Sequence, residues 1–160
     1  LFLHMSDLGF GPAEAARAYF PLFVMGLVGK IAAGALADLL PRKAVFGGCL
    51  ALMFAGGVML ASLNPKLVMP ALYLFGLGWG GNYTMLQGLV ADVFGARSLG
   101  RILGGITVLD ATGGALGPWV TGALFDFTQS YQLGFSVIVV LIAASLAAIL
   151  FVRLPTRAAH

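Results

Sequence analysis

The chain has 160 residues, 60% of them hydrophobic and 9% charged, with a mean hydropathy of +0.99, which excludes an ordinary soluble globular domain. Its formal charge is +3, but the nine basic residues are scattered and form no patch, so nucleic acid is not an expected partner. The single cysteine, Cys49, lies inside an apolar run; it reads as a small buried hydrophobe and leaves no disulfide or cysteine–metal framework.

A transmembrane helix needs about 20 mainly apolar residues, each rising about 1.5 Å. Residues 1–5 read as the tail of a preceding span, without an initiator Met or a basic leader, so the chain reads as a fragment. Full spans are then predicted over 13–37, 44–63, 67–91, 99–125 and 133–152, all within one domain covering 1–160. The loops between them are a few residues long, which makes neighbouring helices antiparallel. His4 sits at the outer face, where it could titrate.

Charge sorts the loops by side. Arg42, Lys43, Arg97, Arg101, Arg153 and Arg157 fall on one side, while Arg17 and Lys66 fall on the other with Asp7, Glu14 and Asp126. By the positive-inside rule the first set, and the C-terminus with it, is cytoplasmic. The expected location is a bacterial inner (plasma) membrane.

Two ionisable groups fall within the spans, Lys30 in the first and Asp110 in the fourth. Each disfavours insertion by about 2.5–3.5 kcal/mol at a helix centre and should therefore face protein or water. Counting residues from Gly34 and Gly122 puts both at about 9 Å from the cytoplasmic edge, so the two can meet or share a cavity. Three readings stand open. They form a structural ion pair; or Lys30 binds an anion and Asp110 balances it; or Asp110 gains and loses a proton and couples transport to a gradient.

The third span carries a polar and aromatic face. Trp79, Tyr83 and Gln87 are spaced four apart, with Asn82 beside them. Trp79 and Tyr83 are mid-span, which favours a cavity wall over the interfacial girdle to which Tyr73 is assigned. Met69 and Met85 read as packing residues. Small-xxx-small pairs, Gly76/Gly80 and Gly113/Gly117, predict close helix packing, and Gly117-Pro118 is expected to interrupt the fourth span. No Ser/His set, paired acids or His-rich cluster is visible inside the spans, so no enzyme, metal or cofactor is expected.

The segment Gly34-Ala-Leu-Ala-Asp38 returns as Gly122-Ala-Leu-Phe-Asp126 on the opposite side of the bilayer, the signature of an inverted repeat in a secondary transporter. Gly34-x-Leu36-x-Asp38-x-x-x-Arg42-Lys43 resembles the loop signature of the major facilitator superfamily, in the copy joining its eighth and ninth helices. Asp92-Val-Phe94-Gly95-x-x-x-x-Gly100, Gly113-x-x-x-Gly117-Pro118-x-x-x-Gly122-x-x-x-Asp126, Tyr131 and Phe135 extend that resemblance towards the oxalate/formate antiporter and monocarboxylate transporter branch.

The resemblance implies an all-α integral membrane fold, the C-terminal half of a twelve-helix carrier working by alternating access, with an N-terminal six-helix half as its partner. It implies that Lys30 binds the substrate carboxylate, and the helical spacing of Trp79, Asn82, Tyr83 and Gln87 lets that face line the same site. Gly34, Asp38, Arg42, Lys43, Asp92 and Arg97 would form a cytoplasmic gate. Leu39 and Pro41 depart from the usual basic residue and glycine, and Lys30 from the usual arginine, which replaces a bidentate fork by a point charge. Asp110 stands in a helix where oxalate exchangers carry a cation. That favours a small monocarboxylate, moving with H+, over a dicarboxylate. The alternatives are an efflux carrier for apolar drugs and a non-transporting membrane assembly module.

Overall fold

Pro21 divides the first apolar run. Lacking an amide hydrogen, it cannot bond the Arg17 carbonyl, and its ring crowds that turn. A short helix α1 (Pro12–Arg17) therefore ends there, and α2 (Tyr19–Leu39) follows after Ala18. Glu14 closes back on the Gly11 amide at 3.0 Å, satisfying a donor that the helix start would leave free. The computed structural model describes residues 5–6, 9–95, 97–128 and 130–151. Residues 1–4 of the expected preceding span over 1–5, His4 among them, and Asp7, Arg153 and Arg157 lie outside the described residues.

The remaining helices are α3 (Arg42–Ala61), α4 (Pro65–Phe94), α5 (Leu99–Thr128) and α6 (Gln132–Phe151). Their ends fall within three residues of the expected spans. Between α3 and α4 the chain turns through Leu63, at φ 55°, and the Asn64 side chain accepts the Lys66 amide at 3.0 Å to cap α4. Gly95 stops α4 at φ 74°, a conformation that disfavours any residue with a Cβ.

One expectation is corrected. α5 runs unbroken through Pro118. A helix in lipid absorbs both the lost bond and the crowding of the Gly114 carbonyl by local adjustment. Among the described residues three stretches, Pro12–Leu39, Arg42–Ala61 and Gln132–Phe151, are long and apolar enough by composition alone to cross a bilayer. α4 and α5 have 30 residues each. Their glycines and polar side chains, Trp79, Asn82, Tyr83, Gln87 and Asp110 among them, dilute the hydropathy.

α4 is the hub, with α2 and α3 packed along it and α6 packed on α3. Glycine makes the approach possible. A Cβ on Gly76 would sit 2.6 Å from the Leu22 carbonyl oxygen, and one on Gly80 would strike the Gly26 carbonyl. The first small-residue pair is thus a helix seam, as expected. Gly113 and Gly117 meet nothing within 4 Å, and α5 has no buried residue. One apolar cluster gathers Met5, Ala15, Ala18, Leu60, Val68, Ala71 and Leu72, with Met69 against it; a second, towards the other end, gathers Ala33, Val45, Cys49 and Met85. Met69 and Met85 are packing residues in both cases.

Candidate functional site

Lys30 and the aromatic face of α4 come together. The Lys30 Nζ lies 5.7 Å from the Tyr83 ring centroid, within cation–π reach. One turn along α4, Trp79 meets Phe23 of α2 edge-on, with centroids 6.1 Å apart and planes at 68°. Trp79 and Tyr83 remain 42% and 44% exposed, so their four-residue spacing does present a single open face. Gln87 continues that face and is also exposed. Asn82 departs from it. Four residues after Gly78, which abuts Met53 and Cys49 of α3, it lies on the flank turned towards α3. Its Oδ1 is buried with no hydrogen-bond partner among the described residues.

Asp110 is exposed on α5, and no ion pair joins it to Lys30. The depth argument set the two at one level, but Lys30 turns to Tyr83 while α5 packs on α6 and the edge of α4. Phe23 was not singled out from the sequence. Its signal was there, seven residues before Lys30 and therefore on the same side of α2.

A second polar cluster sits where α2, α3 and α4 end. Arg42, in the first turn of α3, donates from Nη1 to Asp92 Oδ1 at 2.9 Å and to the Gly88 carbonyl at 3.1 Å. Lys43 donates from Nζ to the Leu150 carbonyl at 3.1 Å, placing a cation at the C-terminus of α6, where the helix dipole is negative. The structure therefore joins Arg42 to Asp92 and ties Lys43 to α6. Asp38 and Arg97 are exposed and stand apart from this pair, as does Gly34. Among the described residues no three His, Cys, Asp or Glu side chains gather into a metal site. A groove of about 410 Å³ runs between α2 and α3, lined by apolar residues such as Ala33, Leu36, Val45 and Cys49 and not by Lys30; it offers no polar chemistry.

Long apolar helices joined by tight turns, with large apolar residues such as Phe20, Ile31 and Phe151 exposed, define an α-helical integral membrane protein. The chain belongs to the Major Facilitator Superfamily, whose family model matches residues 1–160. It is 27% identical over 141 residues to monocarboxylate transporter 13 of Rattus norvegicus, covering 86% of this chain and 33% of the relative. It is 36% identical over 98 residues to the efflux pump dotC of Dothistroma septosporum, covering 61% of this chain and 16% of the relative. The chain thus spans a third or less of these curated relatives, and their names point to different cargoes. No solved structure is a significant match.

Proposed function

We infer that this chain is the C-terminal six-helix half of a twelve-helix secondary carrier, moving small organic anions, monocarboxylates foremost, by alternating access. α4 and α5 then complete five spans, and the exposed faces of α2 and α5 meet the N-terminal half. The observation that carries the reading is the Lys30 ammonium, held over the Tyr83 ring on an open face of a membrane helix. An intramembrane cation is tolerated there only with a counter-charge or water, and a carboxylate cargo supplies the first. Similarity to a transporter named for monocarboxylates supports the same reading. Arg42, Lys43, Asp92 and their neighbours serve as the cytoplasmic gate, and Asp110 carries the proton or balances charge across the cavity. The location is a plasma membrane, with the C-terminus inside.

Uptake of labelled monocarboxylates into vesicles carrying the full-length carrier tests this, with wild type beside Lys30→Gln, and with and without a proton gradient. Gradient-driven uptake lost in the variant is the expected result; undiminished uptake removes Lys30 from the site. A second reading, efflux of apolar solutes, is favoured by similarity to the fungal efflux pump and by the open Trp79 ring. In that case Lys30→Gln leaves transport intact and loss of Trp79 abolishes it.

A further inference from the structure

We propose that the cargo is an aryl-bearing monocarboxylate, with Lys30 taking the carboxylate and Trp79, braced by Phe23, taking the ring. The proposal rests on the carrier reading above and narrows its substrate class. α2 and α4 run side by side, so Lys30 stands level with Tyr83 and Phe23 level with Trp79. Trp79 precedes Tyr83 by four residues and Phe23 precedes Lys30 by seven, which sets the ring pair about 6–10 Å along the helices from the ammonium. A two- or three-carbon acid bound to Lys30 ends within about one helical turn of 5.4 Å and leaves the Trp79 face unfilled. An aromatic ring on a short alkyl carboxylate reaches it.

Trp79 is also pre-positioned for such a ring. On one side its indole rests against Gly26, where an added Cβ would come within 3.3 Å of ring carbons. On another it is held edge-on by Phe23. What remains open is a fixed aromatic surface, 42% exposed, in the middle of a helix, where an interfacial anchor has no place. Aromatic pairs prefer offset-stacked or edge-to-face geometries, and a ring that adds to an existing pair gains from both partners. Tyr83, beneath the ammonium, holds Lys30 at the carboxylate end.

The test measures kcat/KM for 3-phenylpropionate and indole-3-acetate against lactate and acetate, in proteoliposomes containing the full-length carrier. Wild type should prefer the aryl acids by about tenfold or more, the worth of one good aromatic contact. Trp79→Leu should bring the aryl-to-short ratio towards one, while Trp79→Phe, which keeps a ring, should retain most of the preference. Equal use of aryl and short acids by wild type, with both uptakes dependent on Lys30, overturns the aryl subsite and leaves the carrier reading standing. So does an unchanged ratio in Trp79→Leu. Failure of every acid to move, or aryl uptake indifferent to Lys30→Gln, overturns both.

Discussion

At the residue scale the contrast between Arg42 and Lys30 is instructive. Arg42 was expected at a gate on its motif alone, and its partners follow from its chemistry: a planar fork can serve the Asp92 carboxylate and the Gly88 carbonyl together. The pair is about 30% exposed on both sides, so its net worth to stability is under about 1 kcal/mol. Its value to a carrier would lie in holding one conformation, because the bond breaks when α3 and α4 part. Arg42→Asp and Asp92→Arg should each impair transport several-fold, because each sets two like charges against one another at that contact, and the double variant should recover it. Initial uptake rates in the full-length carrier decide this, and a double variant as slow as the singles removes the pair from the gate. Lys30 was legible as an intramembrane cation, but its neighbour was not. Depth counting gives height along the membrane normal and says nothing of rotation about the helix axis, and rotation sends Lys30 to Tyr83 rather than to Asp110.

At the element scale the architecture was read from one signal of uneven strength. All five spans were read from apolar length; α3 and α6 are strongly apolar, whereas α4 and α5 are 30-residue helices diluted by glycines and polar side chains. The break after α1 escaped because Pro21 stands inside a continuous apolar run, and composition alone does not separate a first-turn proline from a kink. Small-residue spacing identified seams but not their occupancy: Gly76/Gly80 is filled by α2, while Gly113/Gly117 is open. The filled α2–α4 seam and the open α5 make a paired prediction. Gly80→Val forces its side chain into the Gly26 carbonyl and should destabilise by about 1–3 kcal/mol, lowering the thermal midpoint of the purified full-length carrier and its yield. Gly104→Ala, also on α5 with nothing within 4 Å, should leave the midpoint unchanged or slightly raised, since alanine is the better helix former. Equal losses in both variants would mean that α5 is packed as tightly as the α2–α4 seam.

At the scale of the whole molecule, orientation is what connects these elements to transport. Within the described chain Arg42, Lys43, Arg97 and Arg101 lie at or near the α2–α3 and α4–α5 turns, while Arg17 and Lys66 flank the opposite ends of α2 and α4. Antiparallel helices convert that alternation into two faces, and the proposed orientation puts the basic face inside because its charges would resist translocation. In the proposed orientation Arg42 and Lys43 face the cytoplasm, and Lys30 lies nine residues before the end of α2 at Leu39, about 14 Å deeper along the helix. Carboxylate cargo entering from the cytoplasm would pass the basic face first. Single cysteines test the assignment in a Cys49→Ala background. Ser62→Cys, in the α3–α4 turn, should react with a membrane-impermeant maleimide on intact cells. Ser98→Cys, in the α4–α5 turn, should react only after permeabilisation. The reverse pattern inverts the bundle, and with it the cytoplasmic gate would become an outer one; labelling of both from outside would mean that α4 does not cross the membrane at all.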